Sequence, residues 1–107
     1  MSDPYARAMH AAMERMMRDM HAADPSGDPD RDFLAMMIPH HEGAVEMARL
    51  LLVHGRDPAT RRLADDIIAG QTTEIAAMKG RLALLRGEAR PAGEPYPELG
   101  GTRGAAR

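Results

Sequence analysis

The chain contains no cysteine, which excludes disulfides, thiolate zinc sites, redox dithiols and a cysteine nucleophile. Tryptophan is also absent and aromatic residues make up only 3%, so a core must be filled by Leu, Ala, Ile and Met. Charge of neither sign dominates: 14 Lys+Arg stand against 16 Asp+Glu, leaving no long-range field to attract nucleic acid or an anionic membrane. No apolar run reaches the length of a membrane span. No segment alternates with period two, so no strand is expected. At 107 residues the chain can form one core but not two.

What is abundant is methionine, with 10 residues, and clearly placed helix breakers. Asp24-Pro25-Ser26-Gly27-Asp28-Pro29 is a turn cluster, with Asp28 as N-cap and Pro29 at the first helical position. His54-Gly55-Arg56-Asp57-Pro58 repeats the logic: Gly55 ends one helix, Asp57 caps the next and Pro58 opens it. From about Gly87 the chain becomes rich in Pro and Gly and reads as an extended or disordered tail. Three helices are therefore expected, near 4–23, 29–54 and 58–86, in a single domain 1–87 followed by the tail 88–107. Short connections make sequential helices antiparallel, giving an all-α, up-down-up three-helix bundle. Its wide apolar faces could pair with a second copy, so that a homodimer completes a larger bundle.

On the first helix, at 100° per residue, Met9, Met13, Met16, Met17 and Met20 fall in one sector. His10 and His21 share its flank, while Arg7, Glu14, Arg15 and Arg18 face away. Such a stripe is commonly a core face. Here the helix holds no Leu, Ile, Val or Phe, and methionine specifies a core poorly, so ligation through sulfur stands beside packing.

The second helix centres its apolar stripe on Phe33, Met37, His40, Ala44, Met47 and Leu51, with His41 beside it and Glu42, Glu46 and Arg49 on the wet face. Two imidazoles one turn beyond Met36 and Met37 each need a partner on an apolar wall, and a metal ion would satisfy the acceptor nitrogen. Pro39 either restarts the helix or kinks it, turning His40 and His41 toward one point. The stripe stays in phase across it, which favours the kink.

The third helix takes Leu63, Ile67, Met78, Leu82 and Leu85 as its core stripe, with Gln71 and Glu74 in the same sector. A buried carboxylate requires a partner. Glu74 or Gln71 could hydrogen-bond His40 or His41 directly, or orient an imidazole whose other nitrogen holds a metal. Gly70 and Gly80 read as sites of close helix approach.

Soft thioethers select copper(I) or silver(I), and imidazole also accepts copper(II), so copper(I) is the expected occupant. The expected ligands are His40, His41, Met36, Met37, Met47 and Met78, joined by Met13, Met17, His10 and His21 from the first helix, with Gln71 and Glu74 behind them. Catalysis is not expected. The residues three before each histidine are Arg7, Arg18, Met37, Ile38 and Leu51, so the Glu-x-x-His pairs of di-iron bundles are missing. His41-Glu42 lacks the second histidine of a zinc protease, and there is no glycine-rich phosphate loop. The alternative to a metal carrier is a helical interaction module, a dimer or adaptor, whose methionine surface packs flexibly against a partner.

Met37, His40, His41, Ala44, Met47 and Ala48 spell Met-x-x-His-His-x-x-Ala-x-x-Met-Ala, and Gln71, Glu74, Ile75 and Met78 spell Gln-x-x-Glu-Ile-x-x-Met. In this order and separation they resemble the bacterial domain of unknown function 305 family, closely from about Asp32 to Leu85 and more loosely over the first helix. The resemblance implies a ferritin-like helical bundle, often exported, with metal ligands drawn from Met and His. Some members are linked to copper binding and resistance. Glu42 stands where the family often has Gln, on the wet face where the exchange matters little. Met1-Ser2-Asp3-Pro4 shows no signal peptide, which implies the cytoplasm if Met1 is the native start. The resemblance favours the periplasm or cell surface if the chain is trimmed.

Overall fold

Each helix opens on an Asp-Pro pair, in which the proline needs no hydrogen-bond acceptor and the aspartate supplies one. The computed structural model describes residues 3–88, and in it α1 spans Pro4–Ala22, α2 Pro29–His54 and α3 Pro58–Leu85. The expected tail falls largely on residues 89–107, outside the described residues. Asp3 accepts from the Tyr5 N–H at 2.9 Å, Asp28 from Asp30 at 3.1 Å and Asp57 from Thr60 at 2.9 Å. The Asp28 and Asp57 caps stand as expected, and Asp3 is a third.

The ends are closed differently. Gly55 caps α2 at φ −80°, its N–H donating to the Leu51 carbonyl, so its left-handed freedom goes unused. Gly87 uses that freedom, at φ +79°. Its N–H donates to the Leu84 carbonyl at 3.0 Å and the Glu88 N–H to Ala83 at 2.9 Å, the Schellman pattern that stops a helix. Arg61 adds a clasp: its Nη1 donates to the Leu52 carbonyl at 2.6 Å and to Gly55 at 3.0 Å, serving carbonyls orphaned at the end of α2.

The helices run up, down and up, with α2 packed against both neighbours. The α1 contact is set by Gly43, where an added Cβ would lie 2.6 Å from Met16 Sδ and 2.9 Å from Met16 Cβ, and by an Arg15–Glu46 ion pair. The α3 contact runs through the His41–Glu74 pair, a Glu42–Lys79 bridge at 3.1 Å and the Arg61 clasp. At 100° per residue these two sets lie on opposite flanks of α2. No Cα of α1 comes within 8 Å of one in α3. The three helices therefore form the expected all-α, up-down-up bundle, opened into a layer with α2 in the middle.

An open layer has little interior. Ala12, Val45, Ala48, Ala64 and Leu82 are the buried apolar residues, and among the described residues no large side chain is fully buried. This corrects the core expected from the stripes. Leu63, Ile67 and Leu85 on α3, Phe33 on α2, and Met13 and Met17 on α1 are all exposed. The stripes face one side of the layer, and no element among the described residues covers it. Gly70 is corrected too, since nothing lies within 4 Å of a Cβ placed there. Close approach belongs to Gly43 instead.

Candidate functional site

The uncovered side of the layer is a groove of about 350 Å³ that reaches all three helices. Ala44, Met47, Ala48 and Leu51 form its floor on α2. Tyr5 and Met9 stand on the α1 side, and Thr60, Leu63, Ala64, Ile67 and Gln71 on the α3 side. None of these lining residues is charged. The Arg15–Glu46 and Glu42–Lys79 pairs lie on the other side of α2, so the layer is polar on one face and apolar on the other.

Methionines frame this face. Met13 and Met17 follow Met9 along the same flank of α1 and are 47% and 45% exposed. Near the α1–α2 turn, Met20, Phe33 and Met36 line a second cavity of about 360 Å³. Met37 and Met78 are half-buried. Met16 alone among the α1 methionines is spent on the tight contact with Gly43.

The paired histidines divide. α2 runs without a break through Pro39, so the helix does not restart there. The rings of His40 and His41 are tilted by 55° with centroids 6.0 Å apart, and they serve different surroundings. His40 is exposed on the apolar face, which corrects the expectation that both are buried. The His41 side chain is 12% exposed and turns to α3, where Nε2 lies 2.6 Å from Glu74 Oε1. Of the expected partnerships, this one is realised: a carboxylate on α3 holding an imidazole from α2. Glu74 itself is 62% exposed, so it sits at the rim and not in the middle of a core.

With Nε2 engaged by Glu74, the Nδ1 atom of His41 is buried with no hydrogen-bond partner, as is Oε1 of Gln71. The two expected ligands His10 and His21 lie on the surface of α1. His10 pairs with Glu14 at 3.4 Å on the surface of α1, and His21 is exposed in that helix's last turn. His54, not singled out from the sequence, meets the Tyr5 ring edge-on at 5.5 Å. Among the described residues no three His, Asp or Glu side chains come together in a group able to hold a metal. α1 and α3 occupy opposite flanks of α2, with no Cα of one within 8 Å of the other, and of the expected site only Met9 on α1 and Met47 and Gln71 beyond it line the same groove.

The comparisons agree with the motif resemblance at family level. A relative from Acanthamoeba polyphaga mimivirus, an uncharacterised protein, is 40% identical over 53 residues, covering 50% of this chain. The chain spans only 35% of that relative's length. The family model "Domain of unknown function (DUF305)" matches residues 1–82, which takes in α1, α2 and nearly all of α3. The chain belongs to the DUF305 family.

Proposed function

We propose that this protein is a helical interaction module, a binding protein and not a catalyst, whose methionine-bearing face is covered by a protein partner. The single observation that carries the reading is the one-sided layer: an uncharged groove flanked by exposed Met13, Met17, Phe33, Leu63 and Ile67. A contiguous apolar patch beyond a few hundred Å² is rare on a monomer and marks an interaction site. Methionine suits such a face because its unbranched side chain repacks against different shapes. The ferritin-like bundle implied by the resemblance has the same requirement, since a four-helix bundle needs a helix that residues 3–88 do not supply.

A second reading is copper(I) binding, and one observation favours it: the partnerless, buried Nδ1 of His41 behind an imidazole fixed by Glu74. The donor chemistry fits a soft ion, with Met37 one turn before His41 and Met78 on α3 as thioether candidates. Anaerobic thermal denaturation with and without copper(I) separates the two readings. The interaction module keeps the same midpoint, because only a ligand of the native state raises it. A copper-dependent rise that disappears in a Met-to-Leu variant at Met13, Met17, Met37 and Met78 would transfer the conclusion to a copper carrier.

A further inference from the structure

We infer that the occupant of the apolar face is a second copy of this chain, the two layers packing face to face about a two-fold axis. The inference rests on the interaction reading above and names its partner.

Three observations lead to a second copy. The first is the missing layer. Stable domains bury the apolar side of one layer of secondary structure against another, and residues 3–88 supply one layer, in which no large side chain is fully buried. A second copy supplies the other layer, with the same helix lengths and the same apolar width.

The second is area. Of the large exposed apolar side chains, all but Val53 and Leu84 fall on the groove side of the layer. A standard interface buries roughly 800 Å² on each partner, so a second copy has to cover these side chains together and not the groove alone.

The third is charge. A two-fold axis brings a surface against itself, so a face with net charge would repel its copy. The groove lining carries none, the Arg15–Glu46 and Glu42–Lys79 pairs lie on the opposite side of α2, and Asp24 and Asp32 stand only at the far end of the face, beside Phe33 and Met36. Glu74, at the rim, already faces His41.

The test is sedimentation of the full chain across a hundredfold concentration range, alongside a Leu63→Glu/Ile67→Glu variant. Both substituted positions are exposed in the single chain, so the variant retains its helical circular dichroism. The proposal expects a dimer at tens of micromolar and at least a tenfold weaker dimer in the variant. Should the double variant lose helix, Phe33→Glu reads the same face at a position 56% exposed. A dimer that survives these charges but breaks on Val53→Glu assigns the contact to the other face and overturns the proposal, as does open-ended assembly. A strict monomer also overturns it, and methionine oxidation then judges the underlying reading. Rapid oxidation of Met13 and Met17 in that monomer leaves the face open for a different protein. Protection of both means that residues outside 3–88 cover the face, and the interaction reading falls with the dimer.

Discussion

At the scale of single residues, two glycines within α2 and α3 carry opposite consequences. A methyl group at Gly43 would press on Met16, including its Cβ, which rotation of that side chain cannot move. Overpacking of this kind costs about 1–3 kcal/mol, against a helix-propensity gain of about 1 kcal/mol from replacing glycine. Gly43→Ala is therefore expected to lower stability by about 1 kcal/mol, read as a lower urea midpoint. Gly70→Ala meets open space, keeps the propensity gain and raises stability by about 0.5–1 kcal/mol, read as a higher midpoint. Equal signs for the two would show that α1 and α2 are not held at this spacing. Glu74 is the third position of interest, because its carboxylate is the partner of a mostly buried imidazole. Glu74→Ala leaves His41 Nε2 without it, at an expected cost of about 1 kcal/mol in the same assay, while Glu74→Gln keeps an acceptor and loses less.

At the scale of elements, helix starts and stops hold most of the local information. All three starts follow the Asp-Pro rule, and two of them are legible from the breaker clusters alone. The Arg61 clasp is not, because it joins carbonyls 9 and 6 residues away across a turn whose path no local pattern specifies. Arg61→Ala is expected to fray the end of α2, seen as faster amide exchange near Leu52 to Gly55, with a loss of about 1 kcal/mol. Acid should act on the same ends. Hydrogen bonds from the Thr60 hydroxyl and N–H hold the Asp57 carboxyl below its ordinary value of 3.8, and the Ser26 N–H and hydroxyl do the same for Asp32. Such a carboxylate binds its proton less readily in the folded chain than in the unfolded one. It stabilises the fold above the ordinary value, and that contribution is lost as pH falls through the depressed one. The urea midpoint should thus drop as pH falls toward and below the ordinary value of 3.8, and Asp57→Asn should flatten the drop.

At the scale of the whole molecule, the periodicity of the stripes was legible but their destination was not. Phe33, Met37, His40, Ala44, Met47 and Leu51 do share one face of α2, as the 3.6-residue repeat requires. A repeat says only that a face wants cover, without saying whether cover comes from the same chain. Here α1 and α3 take the flanks and leave that face open, which is why His40 is exposed while His41, one residue on, is held by Glu74. A protein built this way should depend on its own concentration for stability. If folding and association are coupled, mass action raises the thermal midpoint as protein is added, by roughly 3–5 °C for each tenfold in a dimer of this size. The Leu63→Glu/Ile67→Glu variant, with its dimer at least tenfold weaker, should melt lower than the unmodified chain at each concentration. A midpoint of the unmodified chain that stays fixed over a hundredfold range would mean that folding does not require a second copy, and the coupling of folding to association falls.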